Sequence, residues 1–162
     1  MILIGVIGLG YVGLPLAINL ASKYVVLGYD TNSKRIKDLK SGIDSTKTFS
    51  SDELKNNEIE FLETPGKLKA CNIYFITVPT PLKKNNYPDF SFIKQATNTV
   101  SKVLKKDDIV VYESTVYPGA TEEICVPILE GSSLEFNKDF YVGYSPERIN
   151  IGDPKNTFKN IS

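Results

Sequence analysis

The stretch VIGLGYVGLPLA, residues 6–17, sets glycines at 8, 10 and 13 in the spacing G-x-G-x-x-G. Glycines cluster in turns of many kinds, so the context decides what this spacing means. A β-branched run, ILIGVI, leads into it, a helical pattern follows, and a second apolar run, VVLGYD, ends in an acid at Asp30. In that setting Gly8 permits a tight turn, Gly10 lets backbone approach a pyrophosphate, and Gly13 lets the helix pack closely on the strand. The helix N-terminus, from Tyr11 and Val12 onward, offers N–H groups and a positive dipole to the phosphates.

Asp30 stands about 20 residues past the loop, where a carboxylate accepts the hydroxyls of an adenosine ribose. It repels a 2′-phosphate, and the neutral Thr31 and Asn32 that follow offer such a group no cation. The motif therefore predicts NAD, not NADP, as cofactor. Arg35, close by, reads either as a group that stacks on adenine or as a solvated helix residue.

Outside this motif the chain alternates apolar runs of about six residues with helical patterns, the mark of parallel βαβ units. The strand candidates are ILIGVI, VVLGYD, IEFL, NIYFITV, DIVVYES and DFYVGYS. They show little polar alternation, which predicts a sheet covered by helices on both faces. Helices are expected over LPLAINLASK, NSKRIKDLKSG with Gly42 as its C-terminal glycine, SDELKNN, and FSFIKQATNTVSKVL behind Asp89 or Ser91 as cap. TEEICVPILE is expected to be kinked or shortened by Pro127. The fold class is α/β, a Rossmann-type doubly wound, mostly parallel six-stranded sheet, forming a single domain over residues 1–162.

Composition closes off other chemistries. Nineteen basic and nineteen acidic residues cancel, which disfavours nucleic acid and anionic membranes as partners. No membrane span or signal peptide is visible, so a cytoplasmic location is expected. The chain has no histidine, which removes His-based triads and metal sites and leaves carboxylates, Lys, Tyr and hydroxyls as acids and bases. Cys71 and Cys125 lack metal-ligand or C-x-x-C spacing and read as buried, reduced thiols; no metal site is expected.

Three further stretches fall at carboxyl ends of expected strands, the edge where open α/β sheets bind ligands: VPTP (78–81), ESTVYPGATEE (113–123) and YSPERINIGD (144–153). Singly each reads as a stiff loop, a helix cap or a turn. Together, in this order behind the glycine loop, they make the chain resemble the N-terminal NAD-binding domain of the UDP-glucose/GDP-mannose dehydrogenase family. The phrasing is most like its bacterial UDP-N-acetylhexosamine branch, which includes the Vi-antigen type UDP-GlcNAc 6-dehydrogenases and UDP-GalNAc relatives.

That resemblance implies oxidation of a nucleotide sugar at its C6 alcohol to a carboxylate, with two NAD used in succession, in capsule or surface polysaccharide biosynthesis. The family's thioester-forming cysteine lies in a downstream glycine-rich segment that neither Cys71 nor Cys125 matches. By resemblance, Thr80 and Thr115 approach the ribose and nicotinamide side, with Thr115 also near the reacting carbon. Glu147 corresponds to the active-site glutamate, and Arg148 and Ile149 border the nucleotide sugar.

Ile151 departs from the branch's usual proline, and it also occupies the position of the second glutamate of the UDP-glucose branch, which argues against UDP-glucose as substrate. KNIS at 159–162 reads as a chain entering another strand, so central dimerisation and C-terminal UDP-binding domains are expected to be absent from this chain. The full-length protein is then expected to be a homodimer and the domain by itself monomeric and inactive. Rival readings are a UDP-ManNAc or UDP-glucose enzyme, a 3-hydroxyacyl or 6-phosphogluconate type dehydrogenase, and a non-enzymatic NAD-sensing module.

Overall fold

The computed structural model describes residues 1–84 and 86–146. The apolar runs become β1 (Leu3–Ile7), β2 (Val25–Tyr29), β3 (Ile59–Leu62), β4 (Ile73–Ile76), β5 (Asp108–Tyr112) and β6 (Phe140–Tyr144). Among the described residues they form one six-stranded sheet in the order β3-β2-β1-β4-β5-β6. Each neighbouring pair is parallel, so the doubly wound expectation holds, with no antiparallel member among these strands.

The helices are α1 (Gly13–Ala21), α2 (Ser33–Lys40), α3 (Ser51–Lys55), α4 (Ser91–Ser101) and α5 (Val126–Glu130). Their ends follow local chemistry. Asn32 caps α2 by accepting the Arg35 N–H, and Ser50 and Glu53 satisfy each other's backbone N–H at the start of α3. Gly42, at φ +77°, ends α2: its N–H donates to the Leu39 carbonyl at 3.0 Å, and that of Ile43 to Asp38 at 2.8 Å. This turn sends the chain back along α2.

Neither expected residue caps α4, which starts after Phe90, although Asp89 accepts the Ser91 N–H at 3.0 Å. Pro127 falls in the first turn of α5, where its missing N–H is harmless, and Thr121–Cys125 before it winds as a wider π-helical turn. A 3₁₀ turn at Pro65–Ala70, not expected from the sequence, leads from β3 to β4 and buries Leu68.

Strand alternation sorts the apolar residues into two cores. Ile4, Val6 and Val26 meet Leu14 and Ala17 of α1 and Ile36 and Leu39 of α2. On the opposite face Ile7, Tyr74, Ile76, Val110 and Tyr112 meet Ile93 and Val100 of α4 and Leu129 of α5. Burial on both faces is incomplete at β5 and β6. Ile109 and its register partner Tyr141 are 37% and 45% exposed, because the described helices on their face belong to the first half of the fold and lie over β1–β3.

Candidate dinucleotide-binding site

Strand order reverses between β1 and β4: β2 lies outside β1, and β5 lies outside β4. In such sheets the crevice at the carboxyl ends of the two central strands is the ligand site. Here it is a cleft of about 480 Å³ lined from one side by Gly8, Gly10, Tyr11, Val12 and Asp30, and from the other by Thr77–Thr80 and Glu113–Thr115. Phe92, Gln95, Ala96 and Thr99 of α4 close a further wall.

The three glycines have distinct reasons. Gly8 turns at φ +95°, a conformation that side chains resist. At Gly13 an added Cβ would sit 1.8 Å from the Gly8 carbonyl oxygen and 2.4 Å from Thr77 Oγ1, so α1 starts jammed against the loop. A Cβ at Gly10 would meet nothing within 4 Å, and Gly10 lines the cleft. The start of α1 carries no side-chain cap, unlike α2 and α3, and no acid in its first turn, unlike α3. In that turn the Leu14 N–H donates to the Gly10 carbonyl at 3.2 Å and Pro15 has no N–H, so an anion would meet the backbone N–H groups of Tyr11, Val12 and Gly13 that lead into the helix.

Asp30 lies just past β2. One carboxylate oxygen accepts the Leu9 N–H and the other the Asn32 N–H, both at 2.8 Å. A carboxylate has about four lone-pair sites, so two backbone bonds orient it and leave room for ribose hydroxyls. Asp30→Ala is expected to weaken NAD binding by about 1–3 kcal/mol, the loss of charge-assisted hydrogen bonds. Calorimetric titration checks this, and unchanged NAD affinity would remove Asp30 from the site.

Arg35 requires a correction. It is neither solvated nor among the residues lining the cleft: it is 7% exposed, with Nε donating to the Leu9 carbonyl at 2.9 Å. Nη1 donates to Asp44 at 2.7 Å and to Ser45 at 2.9 Å. The guanidinium thus braces the glycine loop from beneath. Asp44 itself has no exposed side-chain surface. Burial alone would raise its pKa, but hydrogen bonds from Thr46 and Arg35 and from the Thr46 and Phe49 amides hold it down at about 2.

On the β4 side, the Thr77 hydroxyl lies 2.6 Å from the Gly8 carbonyl and 3.1 Å from that of Ile7, locking the loop to β4. Ser114 Oγ donates to the Val78 carbonyl at 2.6 Å, which ties the ESTV stretch to VPTP. Thr80 Oγ1 is buried without a hydrogen-bond partner among the described residues, although it lines the cleft. Its place in the cleft leaves this hydroxyl able to bond a ligand. Thr115 is exposed at the cleft wall.

The structure thus gathers Gly8, Gly10, Tyr11, Val12, Asp30, Thr80 and Thr115 around one cleft, with Gly13 directly behind it. Glu147, Arg148, Ile149 and Ile151 lie outside the described residues. Sequence reading missed Thr77, Ser114, Glu113 and the α4 wall. The helical spacing of Phe92, Gln95, Ala96 and Thr99 was the available signal for that wall.

Both cysteines are buried and unpaired. Burial pushes the Cys71 thiol up to about 11 and raises Cys125 as well, so neither supplies a thiolate nucleophile near neutrality. Among the described residues no cluster could hold a metal ion, and no helix is long and apolar enough to cross a membrane.

The open approach at Gly10, the uncapped start of α1, the carboxylate of Asp30 and the unsatisfied hydroxyl of Thr80 all meet in one cleft at the switch point. Fold and cleft together define a dinucleotide-binding domain of the Rossmann type. The chain belongs to the UDP-glucose/GDP-mannose dehydrogenase family, whose NAD binding domain it matches over residues 2–161.

It is 51% identical over 160 residues to a UDP-N-acetyl-D-glucosamine 6-dehydrogenase of Pseudomonas aeruginosa and 52% identical over 160 residues to Protein CapL of Staphylococcus aureus. Each alignment takes in 98% of this chain and 38% of the relative, so the chain spans well under half the length of these curated relatives. The solved UDP-D-ManNAc dehydrogenase of Pyrococcus horikoshii superposes with a TM-score of 0.88 at 37% identity, over 98% of this chain and 38% of that one.

Proposed function

We propose that the chain is the NAD-binding half of a UDP-N-acetylhexosamine 6-dehydrogenase that oxidises the C6 alcohol to a uronic acid for capsule or surface polysaccharide biosynthesis. The observation that carries this reading is the convergence of the glycine loop, VPTP and ESTV on one cleft at the switch point of the sheet. The names of the relatives support it: a UDP-N-acetyl-D-glucosamine 6-dehydrogenase and a protein called CapL share about half of its residues.

NAD, when bound, supplies the hydride acceptor for each of two oxidations. This chain's residues would hold and orient it: the Gly10 loop leading into α1 the pyrophosphate, Asp30 the adenosine ribose, and Thr80 and Thr115 the half that faces substrate. By the family resemblance, Glu147 would handle protons in the oxidation, and Arg148 and Ile149 would serve the nucleotide sugar. No cysteine of this chain has the context to hold the C6 aldehyde, so residues 1–162 alone are expected to turn over no UDP-sugar. The reaction takes place in the cytoplasm, and the full-length enzyme is a homodimer; a monomer by light scattering would contradict the latter.

The test is NADH formation by the full-length protein offered a panel of UDP-sugars. Two NADH per UDP-N-acetylhexosamine are expected, with Glu147→Gln slowing acid formation by about 10²-fold, the scale of general acid–base assistance. Preference for UDP-glucose, or turnover by residues 1–162 alone, would overturn the reading. A fully active Glu147→Gln enzyme would return SPER to the status of a turn.

A further inference from the structure

The loop after α2 contributes nothing to the cleft wall, yet it builds a buried charge pair that is bonded to the glycine loop. The Gly42 turn folds the chain back so that Asp44 meets Arg35, nine residues earlier, at 2.7 Å. Asp44 is fixed from several sides: it accepts from the amides of Thr46, Thr48 and Phe49 as well as from the guanidinium. Arg35 in turn grips the Leu9 carbonyl while Asp30 grips the Leu9 N–H. The guanidinium and the ribose-directed carboxylate therefore hold the two polar groups of a single residue.

An arginine beside the acidic residue at the end of the second strand is the usual means of accommodating a 2′-phosphate. Here that arginine is present, in the first turn of α2, but its charge is already matched. Its Nη2 group, buried and without a hydrogen-bond partner among the described residues, is a donor left unused by the pair. We propose that Asp44 is a specificity-determining residue, which sets the preference for NAD over NADP by holding Arg35 in a buried ion pair and so denying the guanidinium to a 2′-phosphate.

The inference rests on the cleft's being the NAD site. Asp30 repels the extra phosphate directly, and Asp44 adds to this by cancelling the nearby cation. Lys34 is an exposed cation on the same turn and the competing source of phosphate affinity, so the test must separate the two.

The experiment is calorimetric titration of NAD and NADP on the purified protein, with circular dichroism of every variant. Asp44→Asn removes the charge but confronts the Thr48 and Phe49 amides with a second donor. Asp44→Ser also removes it and keeps a side-chain oxygen for the Thr46 amide. In whichever of these folds, the NAD-to-NADP affinity ratio is expected to fall about tenfold or more, as an unmatched guanidinium gains a charge-assisted bond to phosphate.

Adding Arg35→Gln to the same variant should restore the ratio, whereas a gain owed to Lys34 would survive it. A loop with a purely structural role would weaken both cofactors equally. An unchanged ratio in a folded variant, persistence of the gain in the double variant, or failure of both single variants to fold would overturn the proposal. Absence of NAD binding by the unaltered protein would instead overturn the cofactor site on which it rests.

Discussion

Gly10→Val is expected to abolish NAD binding while leaving the fold intact. The reason is the asymmetry of its surroundings. Gly10 does not adopt a positive φ, and an added Cβ meets no atom within 4 Å, so the protein loses nothing by a side chain there. The space that valine fills lies in the cleft above the start of α1, where the pyrophosphate must approach the backbone. A fall in affinity of about 1,000-fold or more corresponds to about 4 kcal/mol of lost binding. Thermal unfolding should shift by no more than a few degrees, the scale of about 1 kcal/mol in a domain of this size. Loss of fold would mean that Gly10 serves the turn and not the ligand.

Gly13→Ala is expected to do the opposite, unfolding the protein more readily before any question of binding arises. This glycine has an ordinary helical conformation, so its requirement is steric. A methyl group would sit 1.8 Å from the Gly8 carbonyl oxygen, and neither neighbour is a flexible side-chain end: one is backbone and the other is the Thr77 hydroxyl that locks β1 to β4. Relief requires α1 to back away from the loop, which opens the first core, or Thr77 to swing aside, which breaks its 2.6 Å bond to the Gly8 carbonyl. Overpacking of this kind costs about 3 kcal/mol, hence a drop of about 10 °C in Tm. A variant that melts like the unaltered protein would show that the loop can slide.

The contrast between these glycines also shows how far the sequence could be read. Five strands were legible because Val-, Ile- and Tyr-rich runs mark parallel strands without needing any partner, and β3 from the short apolar run IEFL, although only Leu62 of it is buried. The break in TEEICVPILE was legible from Pro127 alone. Pro65–Ala70 was not, because one buried leucine in six residues carries no period.

In the site, Gly8, Gly10, Gly13 and Asp30 were legible because a local motif fixes their geometry. Arg35 was noticed but misplaced, since its environment depends on Asp44, whose approach is set by the Gly42 turn and by a loop of short-range hydrogen bonds. Thr77 and Ser114 escaped for a related reason. Each follows a strand with an unremarkable hydroxyl, and only the parallel register of β1, β4 and β5 brings it to a carbonyl that needs holding.

The cleft at the β1–β4 switch point is expected to hold NAD with its adenosine ribose on Asp30. Calorimetric titration of the purified protein with NAD and with NADP tests it most directly. One NAD per chain, bound more tightly than NADP, is the predicted result; a preference for NADP, or no binding of NAD, would contradict it.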